Sequence, residues 1–150
     1  MNKYTRFAIT VVVSTVVMYA LMYLNTFELD HVFFSETRAF MALIMGAAMA
    51  IIMLIAMRGM YDDARANRIV LAASAAVFAL ALWLVRSQAT VGDVAYMRAM
   101  IPHHSIAILT STRARIHDPR VRSLADGIVA TQKKEIAEMK ALIADLDRRR

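Results

Sequence analysis

Three stretches of the chain are apolar and hold no charged side chain: residues 7–24, 40–57 and 69–85, each 17 or 18 residues long. As α-helices, which rise about 1.5 Å per residue, they reach across a hydrocarbon core of roughly 30 Å. Aromatic side chains with a polar group flank the stretches, as is typical at membrane interfaces; these are Tyr4, Tyr23, Tyr61 and Trp83. The pattern predicts a transmembrane region over residues 1–86. Buried helices of a soluble domain are the alternative, but the 64 residues that remain are too few to enclose three of them.

Beyond a short linker at residues 87–92, the pattern becomes amphipathic with helical spacing over two stretches, 93–116 and 119–146. Strand-like alternation, glycine-rich loops and internal repeats are absent from the sequence. The sequence therefore predicts an all-α protein, in which three transmembrane helices precede a helical hairpin at residues 93–147 and a basic tail at 148–150.

Helix-start residues support the hairpin. Asp93 suits an N-cap after Gly92, and Asp118 suits one before Pro119, because the missing N–H of proline would be unpaired at the first helical position anyway. Within the first predicted helix, Pro102 removes one backbone N–H, so we expect a bend beside His103 and His104.

Charged residues near the spans predict an orientation. Basic residues outnumber acidic ones on the N-terminal and second-loop side, where Lys3, Arg6, Arg58, Arg65 and Arg68 lie; the first loop has Arg38 against Glu28, Asp30 and Glu36. The positive-inside rule then places the N-terminus in the cytoplasm and residues from Ser87 onward outside it, facing the periplasm if the membrane is a bacterial inner membrane. Reading the first stretch as a cleaved signal peptide leaves that placement unchanged.

Composition narrows the chemistry. The chain has no cysteine, which excludes disulfide frameworks, thiolate metal sites and cysteine nucleophiles. It has 12 methionines and 4 histidines, so soft-metal binding would depend on these residues. A net charge of +6 is mild, and the basic cluster around the hairpin turn lies outside the cytoplasm in the predicted topology, which argues against nucleic-acid binding.

Polar side chains interrupt the predicted hairpin seam. On the second helix, Gln132 and Glu135 break an apolar stripe that consists of Val121, Leu124, Ala125, Ile128, Met139, Leu142 and Leu146. On the first helix, His104 continues the series Val94, Met97, Ile101 and Ile108, with Met100 beside it. A carboxylate in such a seam is costly unless it is paired or binds a cation.

Folding the hairpin at Asp118 brings these residues to one level, with Met100 opposite Glu135, His103 opposite Gln132 and Met97 near Met139. Thioether and imidazole groups suit Cu(I) and its soft analogue Ag(I), and a carboxylate can join when the metal is Cu(II). The predicted metal ligands are Met97, Met100, His103, His104, Glu135 and Met139, with Gln132 as a weaker candidate. The alternative is a methionine-rich core that contains one hydrogen-bonded histidine.

The run from Asp93 to His104, which contains Met100-Ile101-Pro102-His103-His104, resembles the DUF305 family. The Gln132-x-x-Glu135-Ile136-x-x-Met139 segment is similar to the second helix of that family, and the front half is similar to its membrane-anchored members. The resemblance implies a ferritin-like four-helix arrangement and extracytoplasmic copper binding through Met and His. Many members carry two such hairpins and this chain has one, so we expect a homodimer that completes the bundle.

Methionines also recur at every fourth position of the second span: Met41, Met45, Met49, Met53 and Met57. Two interpretations stay open, namely a thioether relay for Cu(I) and flexible packing against small residues, and the second is favoured. His31 in the first loop, with Met41, Met45 and Met22, forms a further hypothesis in which these side chains extend the metal site. The Glu28-x-x-His31 spacing matches a di-iron motif, but it occurs once, so a di-iron oxidase is disfavoured.

The leading functional prediction is a membrane-anchored, periplasm-facing protein that binds copper for homeostasis or tolerance, with lipid, a second copy and a copper transporter or chaperone as partners. The alternative is a non-catalytic membrane scaffold that dimerises through its outer hairpin. A cuprous oxidase ranks third, because nothing in the sequence demands redox cycling, and the chain is predicted not to be an enzyme.

Overall fold

The computed structural model describes residues 2–149, which form five α-helices, two short 3₁₀ helices and no strand. The α-helices are α1 (Lys3–Leu21), α2 (Glu36–Ala56), α3 (Ala64–Ser87), α4 (Asp93–Arg113) and α5 (Pro119–Arg148); the 3₁₀ helices are Leu29–His31 and Arg58–Met60. The all-α prediction is confirmed. Arg150 of the predicted basic tail lies outside the described residues.

Two compact units share the chain. Unit 1 consists of Met1–Met22 and Thr37–Thr90, and unit 2 consists of Tyr23–Glu36 and Val91–Arg150. The loop before α2, which the sequence analysis assigned to the transmembrane region, thus groups with the hairpin.

Helices α1, α2 and α3 are each long and apolar enough to cross a membrane. Their ends differ from the apolar stretches because capping groups, rather than hydropathy, determine where a helix begins. The side chain of Asn2 accepts the Tyr4 N–H at the start of α1, and the carboxylate of Asp63 accepts the N–H groups of Arg65 and Ala66 at the start of α3. Helix α3 therefore includes a charged turn that a hydropathy pattern does not detect.

Close packing within unit 1 depends on small residues of α2. A Cβ built on Gly46 would lie 2.1 Å from Thr15 Oγ1 of α1, and Ala42, Ala47 and Ala50 are buried nearby on the same helix. A second cluster contains Phe7, Ala50, Leu54 and Tyr61, with Met53 and Met57 packed against it. These two methionines therefore contribute to helix packing, and the relay stays a prediction.

In unit 2, α4 and α5 pack around an apolar core. Its buried members are Val94, Met97, Ile101, Ile108, Ile136 and Ile143. Polar contacts join the two helices on either side of this core: Arg98 pairs with Asp147 at 3.2 Å, and Arg122 donates to the Ser111 carbonyl at 2.8 Å. The predicted hairpin is therefore present.

The two predicted N-caps have different outcomes. Asp118 caps α5 by accepting the Arg120 N–H at 2.8 Å, with Pro119 directly after it, as predicted. The prediction for Asp93 was wrong by one residue, because the cap is Gly92, whose extended backbone (φ −84°, ψ −178°) precedes the first helical residue. Asp93 instead places its negative charge in the first turn, where the helix dipole favours it.

The predicted apolar stripe of α5 was partly wrong. Val121, Leu124 and Leu142 are 49%, 64% and 46% exposed. The buried face consists of Ala125, Ile136 and Ile143, with Val129, Met139 and Leu146 partly buried on it. Two apolar series run along α5, and the one with the branched Ile136 and Ile143 packs against α4.

The loop before α2 contributes to the core of unit 2. Phe27 and Phe33 pack against the buried cluster of the hairpin. The Phe27 N–H donates to Ser105 Oγ of α4 at 2.7 Å, and the ammonium group of Lys140 on α5 donates to the Asp30 carboxylate. Unit 2 is therefore a two-helix hairpin with a third layer supplied by the loop, which contains the 3₁₀ helix Leu29–His31.

Gly127 provides a stability prediction for α5. It is exposed inside a long helix, and a Cβ at this position would meet nothing within 4 Å. We expect Gly127→Ala to raise the free energy of unfolding of unit 2 by about 0.5–1 kcal/mol, because alanine loses less backbone entropy than glycine in a helix. Hydrogen exchange of the α5 amides measures the change. Gly59→Ala in unit 1 is the control, and slower exchange in that control alone would contradict the expectation.

Candidate metal centre

The closest approach among the predicted ligands is between α4 and α5. His104 Nε2 lies 2.7 Å from Glu135 Oε2, with 12% of the histidine side chain and 45% of the glutamate side chain exposed. The sequence placed both groups at one level of the hairpin, and the structure brings them into direct contact. The pair is thus partly buried and open to solvent on the glutamate side.

A second hydrogen bond orients the imidazole of His104. Its Nδ1 lies 3.0 Å from the carbonyl oxygen of Met100, one helical turn earlier. A carbonyl only accepts, so Nδ1 carries the proton and Nε2 is the nitrogen available for bonding to Glu135 or to a metal. Histidine ligands of metals are commonly fixed in this way by a backbone carbonyl on the other ring nitrogen.

The contact between His104 and Glu135 holds one proton. Either the ring is an imidazolium that donates to the carboxylate, or the carboxyl group donates to Nε2. A metal ion would replace that proton. With bonds of about 2.0–2.2 Å, an ion holds two donors at a right angle about 3 Å apart, so these side chains would have to separate by only a few tenths of an ångström.

The three predicted methionine ligands differ in burial. Met97 is 6% exposed and belongs to the core cluster, against which the partly buried Met139 packs. Met100 is partly buried and is the residue whose carbonyl holds His104. The structure therefore places two of the three predicted methionines in the apolar core and the third one turn from His104.

His103 and Gln132 occupy less enclosed positions. His103 is exposed, and its ring centroid is 6.3 Å from that of His104, with the two ring planes at 69°. Gln132 is partly buried on α5. Pro102 lies inside α4 and is fully buried, and the helix continues through it.

His31 contacts α4 and two carboxylates of its own loop. Its side chain is 7% exposed, its Nδ1 is 3.0 Å from Ser105 Oγ, and its Nε2 faces the carboxylates of Glu28 and Asp30. The hydrogen bond from Lys140 lowers the pKa of Asp30 below its ordinary value, and the nearby His31 acts in the same direction. Met41 and Met45 belong to α2 of unit 1, so the extended site that combines them with His31 stays a prediction.

Sequence reasoning missed Ser105 and Lys140. Ser105 is completely buried, and its hydroxyl group joins the loop to α4. A serine one residue after two histidines shows no pattern of its own. The spacing of Glu28 and His31 was a usable signal, although it indicated only a di-iron motif.

The described residues form three helices of membrane-spanning length and a helical hairpin that carries a His–Glu pair. These features are those of a small membrane-type protein with an appended helical domain. Comparison with known proteins identifies that domain. Residues 93–150 match the family described as "Domain of unknown function (DUF305)", so this segment belongs to the DUF305 family.

One curated relative extends the comparison. An uncharacterized protein of Acanthamoeba polyphaga mimivirus is 38% identical over 69 residues, which cover 45% of this chain and 45% of the relative. The chain thus spans less than half the length of that relative. No solved structure matches the chain.

Proposed function

We propose that this chain is a membrane-anchored copper-binding protein that holds Cu(I) at its hairpin for copper homeostasis or tolerance. The observation that carries the proposal is the orientation of His104, whose Nδ1 is held by the Met100 carbonyl while Nε2 points to Glu135. This arrangement presents one imidazole nitrogen beside one carboxylate oxygen, at a spacing close to that of two ligands on one ion.

The donor set supports copper over harder metals. A neutral imidazole with the thioether of Met100 suits Cu(I) or Ag(I), and Glu135 adds an oxygen donor when the ion is Cu(II). His103 lies next to His104 and is open to solvent, where it can receive an incoming ion. Met97 and Met139 contribute to the core of the same hairpin.

Membrane topology supports an outward-facing site. The two parts of unit 2 are separated by α2 and α3, and two crossings return the chain to the side from which it left. The loop and the hairpin, which are in contact, therefore emerge on one face if both helices span. The distribution of basic residues favours the extracytoplasmic face, which is the bacterial periplasm in this proposal.

Competition with a chromophoric Cu(I) chelator under reducing conditions tests the proposal on the full chain in detergent micelles. We expect a double variant, Met100→Leu with His104→Ala, to bind Cu(I) at least about 10-fold more weakly, because it loses a thioether and the imidazole. Proton release on binding is a second readout, since the ion displaces the proton held between His104 and Glu135.

His117→Ala and Met60→Leu are matched controls, because both residues are exposed and lie outside the hairpin seam. They should leave the affinity unchanged. Equal affinity in the wild type and in a folded Met100→Leu, His104→Ala variant would overturn the proposal. The single variant Met100→Leu, which nearly conserves side-chain volume, separates loss of a ligand from loss of folding.

A second candidate function is a non-catalytic scaffold that dimerises through its hairpin. Its support is the apolar face of α5 that remains exposed in unit 2, formed by Val121, Leu124 and Leu142. Two hairpins that join through this face would make a four-helix bundle. Sedimentation in micelles separates the two candidates. The scaffold requires that Leu124→Glu abolish the dimer and that Met100→Leu with His104→Ala leave the dimer intact.

A further inference from the structure

We propose that Glu28, Asp30 and His31 form a second metal site, which takes a divalent cation such as Zn²⁺ and fixes the loop to the hairpin. Each residue offers one donor atom, and the three atoms lie within 4.8 Å of one another. Neither the DUF305 match nor the proposed copper site includes these residues, since the match begins at residue 93.

Burial of His31 is the first argument. Only 7% of its side chain is exposed, although the carboxylate side chains of Glu28 and Asp30 are 54% and 65% exposed. Hydrogen bonds to Ser105 fix the position: Ser105 Oγ lies 3.0 Å from Nδ1 of the ring and accepts the Phe27 N–H at 2.7 Å. Ser105 can accept from Nδ1–H, which leaves the Nε2 lone pair directed at the two carboxylates.

The spacing of the donors is the second argument. His31 Nε2 is 3.6 Å from Asp30 Oδ1 and 3.8 Å from Glu28 Oε2, and both distances are longer than a hydrogen bond. Bonds of about 2.1 Å to one ion would give N–metal–O angles of about 118° and 130°, so the carboxylate oxygens would have to approach Nε2 by about 0.2–0.4 Å to reach the tetrahedral geometry of zinc. Exposure of both carboxylates leaves the remaining position open to water.

Lys140 completes the surroundings. Its ammonium group binds Asp30 Oδ2, while Oδ1 of the same carboxylate faces His31, so the two oxygens have separate partners. This contact orients Asp30 and lowers the pKa of the carboxylate, which keeps it ionised as a ligand must be. With a neutral imidazole, the formal charge of Glu28, Asp30 and Lys140 is −1, and a divalent cation reverses it to +1.

One imidazole and two carboxylates, without a thioether among them, favour Zn²⁺ or Co²⁺ over Cu(I). The site draws ligands from a single turn of the loop, and α4 and α5 supply Ser105 and Lys140 around it. Metal bound there would stabilise the docked position of the loop, because Ser105 and Lys140 orient His31 and Asp30 as ligands when the loop is docked.

Titration of the full chain in micelles with Co²⁺, followed by its visible absorption and by Zn²⁺ competition, tests the proposal. The parent chain carries His104→Ala, so that the copper site cannot contribute an imidazole. We expect one Co²⁺ per chain, and at least about 10-fold weaker binding in Glu28→Gln, which removes an exposed ligand with no part in the core.

Glu138→Gln, an exposed substitution on α5, is the matched control and should bind as the parent does. Asp30→Asn should also weaken binding, and hydrogen exchange at Phe27 should slow in the parent when Zn²⁺ is added. Absence of Co²⁺ binding by the parent, or equal affinity in Glu28→Gln and Glu138→Gln, would overturn the second site without bearing on Cu(I) binding at His104.

Discussion

Replacing Ile101 by alanine is expected to lower the free energy of unfolding of unit 2 by about 2–5 kcal/mol. Ile101 is 0% exposed and lies in the core cluster with Ile108 and Ile136. Alanine would remove three carbon atoms from a site where both helices are held by their own hydrogen bonds and polar contacts, so the cavity would collapse only in part.

Hydrogen exchange of the α4 and α5 amides in the full chain measures this loss. Leu124→Ala is the matched control, because Leu124 is 64% exposed on α5 and its truncation should change stability by no more than about 0.5 kcal/mol. Similar losses of stability in both variants would contradict the prediction, because they would show that Leu124 is as well covered as Ile101.

Adding a methyl group at Gly46 is expected to lower the free energy of unfolding of unit 1 by about 1–3 kcal/mol. A Cβ there would lie 2.1 Å from Thr15 Oγ1 and 3.2 Å from both Cβ and Cγ2 of Thr15. Thr15 Oγ1 also donates to the Val11 carbonyl at 2.8 Å, so moving the side chain breaks a hydrogen bond. Gly46→Ala must therefore separate the two helices or rotate Thr15.

Unfolding in mixed micelles by titration with a denaturing detergent measures the effect. Thr15→Ala in the same chain should restore most of the lost stability, because it removes Oγ1, the closest atom, together with Cγ2. Gly59→Ala is the control, as a Cβ at Gly59 meets nothing within 4 Å. A Gly46→Ala chain as stable as the Gly59→Ala chain would contradict the close approach.

Much of the fold could be predicted from local pattern. The three apolar stretches predicted the three long apolar helices, because the length and hydropathy of such a stretch can be read directly from 17 or 18 consecutive residues. Asp118-Pro119 predicted the start of α5, because an N-cap residue followed by proline is also a local signal. The charged start of α3, which contains Arg65 and Arg68, was missed because helix formation depends on capping and propensity as well as hydropathy.

Choices between two similar faces could not be predicted. Along α5, Val121 and Leu124 belong to one apolar series, and Ile136 and Ile143 belong to the other. Periodicity alone does not show which series is buried. The structure buries the second series against α4. The docking of the loop at Ser105 depends on residues that are 74 and 78 positions apart, and no local pattern encodes such a contact.

The candidate site was predicted in part. Folding a hairpin at a known turn placed His104 and Glu135 at about the same level, but it set Met100 opposite Glu135. The structure instead brings His104, one helical turn later, to 2.7 Å from Glu135. The carbonyl contact that sets the imidazole tautomer could not be foreseen, because it depends on the rotamer of His104. Whether Met97 and Met139 bind metal stays a prediction, since their thioethers contribute to the core.

The split composition of unit 2 has a consequence during synthesis. The loop leaves the ribosome 54 residues before the first residue of the second part, a delay of roughly 3–11 s at about 5–20 residues per second. During that delay Phe27 and Phe33 lack the helices that cover them, and the nascent chain must keep this apolar segment from sticking to lipid or to other proteins. Any change that slows synthesis of residues 37–90 would lengthen this interval.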